Sequence, residues 1–273
     1  MIIKEAIILA GGLGTRLRDA VPELPKCMAP VGGRPFIHYV TDYFRKSGIE
    51  HFIFALGYKS DYFDEFFAEA FPGGADGSSD FGARVGGGAG GSGDPGAEGS
   101  GGFRAGGGNT PGNRVSYSVS LEQEPLGTGG AIRQACTMAK TETALILNGD
   151  TFFRIDLAAL SAFHAEKDSD CSLCLKPMRD FDRFGVVELD ERQRVLDFRE
   201  KQHYASGLIN GGVYALNTRR FLDEGLPEKF SFEKDYLEKG DRSLYGIVQD
   251  NYFIDIGIPE DYRRVQEEIN QLL

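Results

Sequence analysis

No run in this chain of 273 residues approaches the ~18 consecutive apolar residues that a membrane-spanning helix needs. The opening stretch MIIKEAIILAGG is interrupted by Lys4 and Glu5, and it lacks the basic start and longer apolar core of a secretion signal. It reads as a first buried strand in a protein expected in the cytoplasm. Positive charge is scarce as well: 30 Lys and Arg against 41 Asp and Glu leave a formal net charge of -11. A mean field of that sign repels nucleic acid and anionic membranes, so neither is expected as a partner. A small anionic substrate stays open to it, because a few local cations and a metal ion outweigh the average. Cysteine is sparse too. Of the 4 cysteines, Cys171 and Cys174 make a CxxC, but inside the strand-like run CSLCLKPM. Side chains three positions apart on a strand point to opposite faces, so no zinc site is predicted there.

Glycine is in excess, with 37 in the chain, and it is unevenly spread. Between about Pro72 and Asn113 the sequence becomes low-complexity and nearly free of aliphatic residues. Such a composition cannot offset the entropy of ordering the chain. Residues 73–112 are therefore expected to be a flexible insertion within one domain spanning 1–273. Elsewhere, short apolar strands alternate with amphipathic helical segments through the first half, which argues for an α/β fold with a mostly parallel, helix-covered sheet. Ala6–Leu9, His51–Leu56, Val115–Val119 and Ala144–Leu147 read as strands. Pro35–Lys46, Asp61–Glu69 and Gly130–Ala139 read as helices. After Asp150 and the helix Asp156–Lys167 come consecutive strands, Cys171–Lys176, Gly185–Leu189, Val195–Glu200 and Leu208–Leu216, which suggest an antiparallel extension. Phe232–Glu238 and Glu260–Gln271 close the chain as helices.

Several short motifs carry chemistry. LAGGLGTRL (Leu9–Leu17) follows the first strand directly. Gly11, Gly12 and Gly14 let backbone N–H groups approach an anion, and Arg16 offers a guanidinium fork to phosphate oxygens. No GK[ST] follows, which excludes a Walker loop. Leu17 occupies the third glycine position of a dinucleotide fingerprint, which disfavours a dinucleotide-dependent oxidoreductase. Lys26, in LPKCMAP, sits on a stiff segment pointing back toward that loop. LNGD (Leu147–Asp150) ends an apolar strand, where open α/β sheets bind their ligands. Asp255 lies among apolar residues in YFIDIGIPEDY, where a carboxylate needs a partner or a cation. Two such carboxylates at strand ends suit a hard Mg²⁺ that also takes phosphate oxygens. EPLGTGGAI (Glu124–Ile132) is a second glycine-bearing loop leading into a helix. FREK (Phe198–Lys201) and LINGG (Leu208–Gly212) add a Glu-Lys pair and an Asn-Gly-Gly.

In this order the motifs resemble the nucleoside-diphosphate-sugar pyrophosphorylases, the sugar-1-phosphate nucleotidyltransferase family, over nearly the whole chain apart from the glycine-rich segment. KPMRDFDRFGVV, EKFSFEKDYLE and DNYFIDIGIPEDY are most similar to its D-glycero-α-D-manno-heptose 1-phosphate guanylyltransferases, and the mannose-1-phosphate enzymes share many of the motifs. The resemblance implies a Rossmann-like three-layer α/β/α sandwich of the nucleotide-diphospho-sugar transferase type. It implies an enzyme that joins an NTP, with GTP preferred, to a sugar 1-phosphate and releases pyrophosphate, for cell-surface polysaccharide synthesis. A homo-oligomer is compatible with it.

The same resemblance implies roles for individual residues. Leu9, Ala10, Gly11, Gly12, Gly14 and Thr15 would hold the nucleotide, with Arg16 on its β- and γ-phosphates. Lys26 would sit near the α-phosphate and the departing pyrophosphate. Glu124, Gly127, Thr128 and Gly129 would line the base and ribose, although the match departs from the family pattern at Gly129-Gly130. Asp150 and Asp255 would coordinate Mg²⁺. Lys201 would receive the sugar phosphate, and Gly185, Glu200, Asn210 and Gly211 would bind the sugar. On the residues alone the base stays open. Guanine presents two N–H donors that a carboxylate such as Glu122 or Glu124 could accept, whereas the single donor of uracil or thymine suits Gln123. A uridylyl- or thymidylyltransferase is thus the alternative enzyme. A non-catalytic nucleotide-sugar-binding regulatory subunit would lack one of Arg16, Lys26, Asp150 or Asp255, and all four are present.

Overall fold

Strand β1 (Glu5–Leu9) is apolar on both faces because both are covered: Ala6, Ile7 and Ile8 are fully buried. It pairs in parallel with β4 (His51–Leu56) on one side and β6 (Thr143–Asn148) on the other, and β5 (Ser116–Leu121) extends the parallel set past β4. The computed structural model describes residues 2–12, 17, 21, 24–57, 59–73, 115–239 and 241–273. The insertion expected at 73–112 lies, apart from Gly73, outside the described residues, and so do Gly14, Thr15 and Arg16.

Parallel neighbours need crossovers, and amphipathic helices supply them. Helix α1 (Phe36–Lys46) buries Phe36, Ile37, Val40 and Phe44 between β1 and β4. It ends ahead of Gly48, whose φ of +110° reverses the chain. α2 (Asp64–Ala70) follows β4, and α3 (Gly127–Cys136) links β5 to β6. The expected helix Asp61–Glu69 is split, its first turn being a 3-10 turn over Ser60–Phe63. Helix α3 starts at Gly127 rather than Gly130, so the glycines read as a loop form its first turn.

Beyond β6 the strand direction reverses, as the consecutive strands suggested. β11 (Tyr204–Asn217) runs antiparallel to β6 and to β8 (Cys171–Phe181), and β9 (Val186–Leu189) pairs antiparallel with β10 (Val195–Arg199). β12 (Leu244–Val248) is parallel to β8 and completes a nine-stranded sheet among the described residues. β8 and β11 outrun their apolar cores because they continue as a ribbon, Tyr204 opposite Phe181, in which burial falls away until Phe181 is buried again at its end. One apolar layer combines Ala6, Ile8 and Leu147 with α1, α2 and α4 (Leu157–Lys167). The other combines Ile7 and Ile146 with α3, α5 (Thr218–Asp223) and a π-helical turn over Phe232–Leu237. The result is a three-layer α/β/α sandwich with a parallel centre and an antiparallel extension. Cys171 and Cys174 fall in different layers, on opposite faces of β8 as the alternation requires.

Four strands too short to show a period escape sequence reading. β2 (Pro30–Val31) and β3 (Arg34–Pro35) form a hairpin, and β7 (Thr151–Phe153) pairs antiparallel with β13 (Phe253–Asp255). Helix α6 (Pro259–Glu267) follows β13. Glu5, read as an interruption of the first strand, is buried and accepts hydrogen bonds from Lys140 N (2.8 Å) and Thr141 N (2.6 Å). It ties the approach to β6 back onto β1.

Candidate active site

The site is built where β1 and β6 end. Gly149 N donates to Leu9 O at 2.9 Å, and a Cβ on Gly149 would come within 2.8 Å of that oxygen. Only glycine allows the approach, and it delivers the next residue, Asp150, to the C-terminal edge of the sheet. The β7–β13 pair then brings in the distant aspartate. Asp255 stands opposite Thr151, and Ile256 N donates to Asp150 O at 3.0 Å. Lys26 Nζ lies 3.4 Å from Asp150 Oδ2, across 124 positions of sequence. The three residues expected to act together therefore do meet.

Their electrostatics suit a cation. Burial, and then the negative charge of Asp150, push the Asp255 carboxyl up to about 6, against the Gly257 N–H, Lys26 and Arg183. Two carboxylates forced together in this way repel until a positive charge separates them. Among the described residues no group of three or more His, Cys, Asp and Glu side chains could hold a metal. Asp150 and Asp255 offer two carboxylates here, a donor set that could hold Mg²⁺ more readily than Zn²⁺. Mg²⁺ commonly uses one or two carboxylates and fills its remaining positions with water and phosphate oxygens.

Two cavities adjoin at this point. The larger, about 780 Å³, is lined by Leu9, Ala10, Gly11 and Gly12 and by Lys26, Gly127, Thr128 and Asp150. Gly127 has φ +74°, and a Cβ there would meet Phe230 O at 2.5 Å. Thr128 Oγ1 donates to Glu233 Oε2 at 2.8 Å and accepts from Phe232 N at 2.9 Å. Gly129 donates its N–H to Phe230 O at 3.0 Å and lies buried against the Phe230 ring, behind the cavity wall. Of the acidic pair left open by sequence, Glu122 lines this cavity, and Glu124 is exposed and does not. Glu122 Oε2 accepts from Leu126 N at 2.9 Å, while Oε1 lies beside Gly11 and Gly57. Burial raises the Glu122 carboxyl above its ordinary value, and the Leu126 N–H opposes the rise.

The smaller cavity, about 430 Å³, gathers Gly185, Glu200, Lys201, Asn210, Gly211 and Asp255. Asn210 is held on both sides, donating to Tyr214 OH at 2.8 Å and accepting from Gly212 N at 3.1 Å. Gly211 packs so closely on Phe153 that a Cβ would come within 2.5 Å of the ring. Asn148 and Glu233 line both cavities. Sequence reasoning missed those two, together with Lys234 and Glu238 on the wall of the smaller cavity. The stretch EKFSFEKDYLE contributes to the family resemblance and reads as a helix over Phe232–Glu238, which gives its charged residues no site role. Its single π-helical turn, capped by Ser231 Oγ on Lys234 N, brings Glu233, Lys234 and Glu238 to the cavity. Burial and then the Glu200 charge raise the Glu238 carboxyl, and with Glu233 and Asp255 four carboxylates line this cavity.

The chain is similar to known proteins over nearly its whole length. The family model described as Nucleotidyl transferase matches residues 5–271. The chain is 41% identical over 271 residues to the D-glycero-alpha-D-manno-heptose 1-phosphate guanylyltransferase of Aneurinibacillus thermoaerophilus, covering 98% of this chain and 100% of that one. It is 39% identical over 260 residues to the protein of the same name from Campylobacter jejuni, covering 94% and 96%. Among solved structures, that of HddC from Yersinia pseudotuberculosis complexed with GMP-PN superposes with a TM-score of 0.75 at 30% identity, over 98% of this chain and 100% of that one.

Proposed function

The chain belongs to the nucleotidyl transferase family, and from that premise we propose that it transfers a GMP group from GTP to D-glycero-α-D-manno-heptose 1-phosphate, releasing pyrophosphate. The observation that carries this reading is the pair of adjoining cavities sharing Asn148 and Glu233, with Lys26, Asp150 and Asp255 at their junction. The larger would take the nucleotide and the smaller the phosphosugar. Guanine is favoured because Glu122 is the one carboxylate of LEQEP that lines the larger cavity, and a carboxylate accepts both donors of the guanine edge. The relatives named for a heptose 1-phosphate support that acceptor. One domain spanning 1–273 would carry the whole reaction, in the cytoplasm, as a step toward cell-surface polysaccharide. No helix among the described residues is long and apolar enough to cross a membrane.

The chemistry follows from charge. A phosphate oxygen of the sugar 1-phosphate attacks the α-phosphorus, the bond from that phosphorus to the bridging oxygen breaks, and pyrophosphate leaves. Both reactants are anions, so the barrier is largely repulsion and misalignment. Asp150 and Asp255 would hold Mg²⁺, whose contribution when bound is neutralisation of phosphate charge. Lys26, in contact with Asp150, would steady the α-phosphate region. Lys201 would hold the acceptor phosphate, while Glu200, Asn210 and the Gly185 and Gly211 backbones would orient the sugar. Arg16, outside the described residues, would bind the β- and γ-phosphates. A phosphate monoester is already ionised near neutral pH, so no general base is required.

Pyrophosphate release measured across the four NTPs and a panel of hexose and heptose 1-phosphates, with Mg²⁺, tests the reading. GTP with the heptose 1-phosphate is expected to give the highest kcat/KM; turnover with no pair would overturn the enzyme assignment. Asp150→Asn and Asp255→Asn should each abolish Mg²⁺-dependent turnover with the fold intact. Asp255→Asn keeps the Oδ1 acceptor for Gly257 N and removes the repulsion, so its metal-free Tm should not fall. Wild-type rates in both variants would refute the metal assignment.

A further inference from the structure

We infer that Arg183 is a positioning residue for the acceptor: its ion pair with Asp261 latches the loop between β8 and β9 onto the segment that carries Asp255. The inference rests on the smaller cavity being the acceptor site. Arg183 Nη2 lies 2.5 Å from Asp261 Oδ2. The carboxylate is in the first turn of α6, and its side chain is only 7% exposed, against 40% for Arg183. The guanidinium also lies over the Phe184 ring, 5.3 Å from its centroid. Phe184 in turn meets Phe253 edge to face at 6.0 Å, and Phe253 meets Phe153 at 5.5 Å. The loop thus grips the Asp255 segment twice, by a ring contact before the aspartate and an ion pair after it.

The other side of the same loop is the cavity wall. Phe184, Gly185 and Val186 line the acceptor cavity directly after Arg183, which does not line it. Gly185 packs against the Arg199 carbonyl so closely that a Cβ would stand 2.5 Å from the oxygen. The loop has no slack there, and a shift at Arg183 is passed on to the wall. Arg183 therefore acts through Phe184 and Gly185, by setting the seat of the phosphosugar relative to Asp150 and Asp255. An exposed ion pair contributes little, but this one ends on a buried carboxylate. That carboxylate has a second partner, Arg264 Nη1 at 3.3 Å. Removing the Arg183 guanidinium leaves Asp261 compensated, so the loop loses its tether without an unpaired charge being created in the core.

The test varies GTP and the heptose 1-phosphate separately in steady-state kinetics, and measures calorimetric binding of the sugar 1-phosphate without nucleotide. Arg183→Gln should raise the acceptor KM and Kd by about ten- to a hundredfold, with the GTP KM within about twofold of wild type. Its Tm should stay close to wild type, and Arg183→Lys should recover most of the acceptor affinity. Unchanged acceptor KM and Kd in Arg183→Gln, or both KM values rising together with a lowered Tm, would overturn the latch. Failure of the wild type to bind any sugar 1-phosphate would sink the acceptor reading and the latch with it. Undiminished binding in Arg183→Gln would sink the latch alone.

Discussion

Replacing Glu122 by Gln probes base selection with almost no change of shape. The amide oxygen can keep the 2.9 Å bond from Leu126 N, so the turn into α3 should stay in place. What changes is the other atom, the one beside Gly11 and Gly57, which becomes an N–H donor. Guanine offers two donors to this edge; one now loses a charge-assisted acceptor and faces a donor instead. A hydrogen bond to a charged partner contributes about 1.5–3 kcal/mol, so kcat/KM for GTP should fall by about ten- to 150-fold. Uracil, with carbonyl oxygens flanking its single N–H, should gain from the amide, and the GTP-to-UTP ratio should fall further than the GTP rate alone. The assay is pyrophosphate release with GTP, ITP and UTP at saturating sugar 1-phosphate, with a thermal melt of each protein. ITP lacks the guanine amino group, so wild type should prefer GTP over ITP and the variant should lose most of that preference. Glu124→Gln is the control and should behave as wild type. A GTP-to-UTP ratio unchanged in Glu122→Gln, in a protein melting at the wild-type temperature, would refute the placement of the base beside Glu122.

Other perturbations follow from the same geometry. Gly127→Ala forces φ +74° on a residue with a Cβ, 2.5 Å from Phe230 O. It should destabilise by at least about 1–2 kcal/mol and raise the GTP KM with little change in sugar 1-phosphate affinity, seen by melts and calorimetry. His164 is buried, with Ser169 Oγ at 2.9 Å and Ser172 Oγ at 3.0 Å from Nδ1, and burial pulls its pKa down to about 4. A histidine held neutral in the folded state and protonated when unfolded contributes a stability that is full above the ordinary value near 6.5 and is lost as pH falls toward 4. The loss should reach about 3 kcal/mol, and His164→Gln should flatten that part of the stability–pH curve measured by urea melts. An unchanged slope would exclude His164 as the titrating group.

Much of this molecule was legible because its signals are local. The apolar strands Glu5–Leu9, His51–Leu56 and Thr143–Asn148 announce themselves as buried on both faces, and the helical spacing of Phe36, Ile37, Val40 and Phe44 marks the packed face of α1. The two-residue period of a strand settled the fate of Cys171 and Cys174 before any coordinates were needed. Boundaries fared less well where glycine has two meanings. Gly127 and Gly129 look like part of a loop, yet they open α3, and Phe230 packs where their side chains would be. Glu233 and Glu238 lie in a stretch that carried the resemblance but gave no sign of a site role, since charged residues on a short helix usually face solvent; the π-helical turn brings them to the cavities.

The motifs that bracket the sheet ends, LAGGLGTRL, LNGD and DIGIPEDY, were thus determined by sequence alone, together with the α/β class and the kind of ligand they suit. Their meeting was not. Asp150 and Asp255 become neighbours through β7 and β13, which span three residues each and are too short to declare a period. Lys26 reaches Asp150 across 124 positions only because the parallel register sets Leu9 beside Asn148. The choice of Glu122 over Glu124 and the tether from Arg183 to Asp261 have the same origin. Each depends on which side chain a packed backbone turns inward, and that is decided by contacts between segments far apart in the chain.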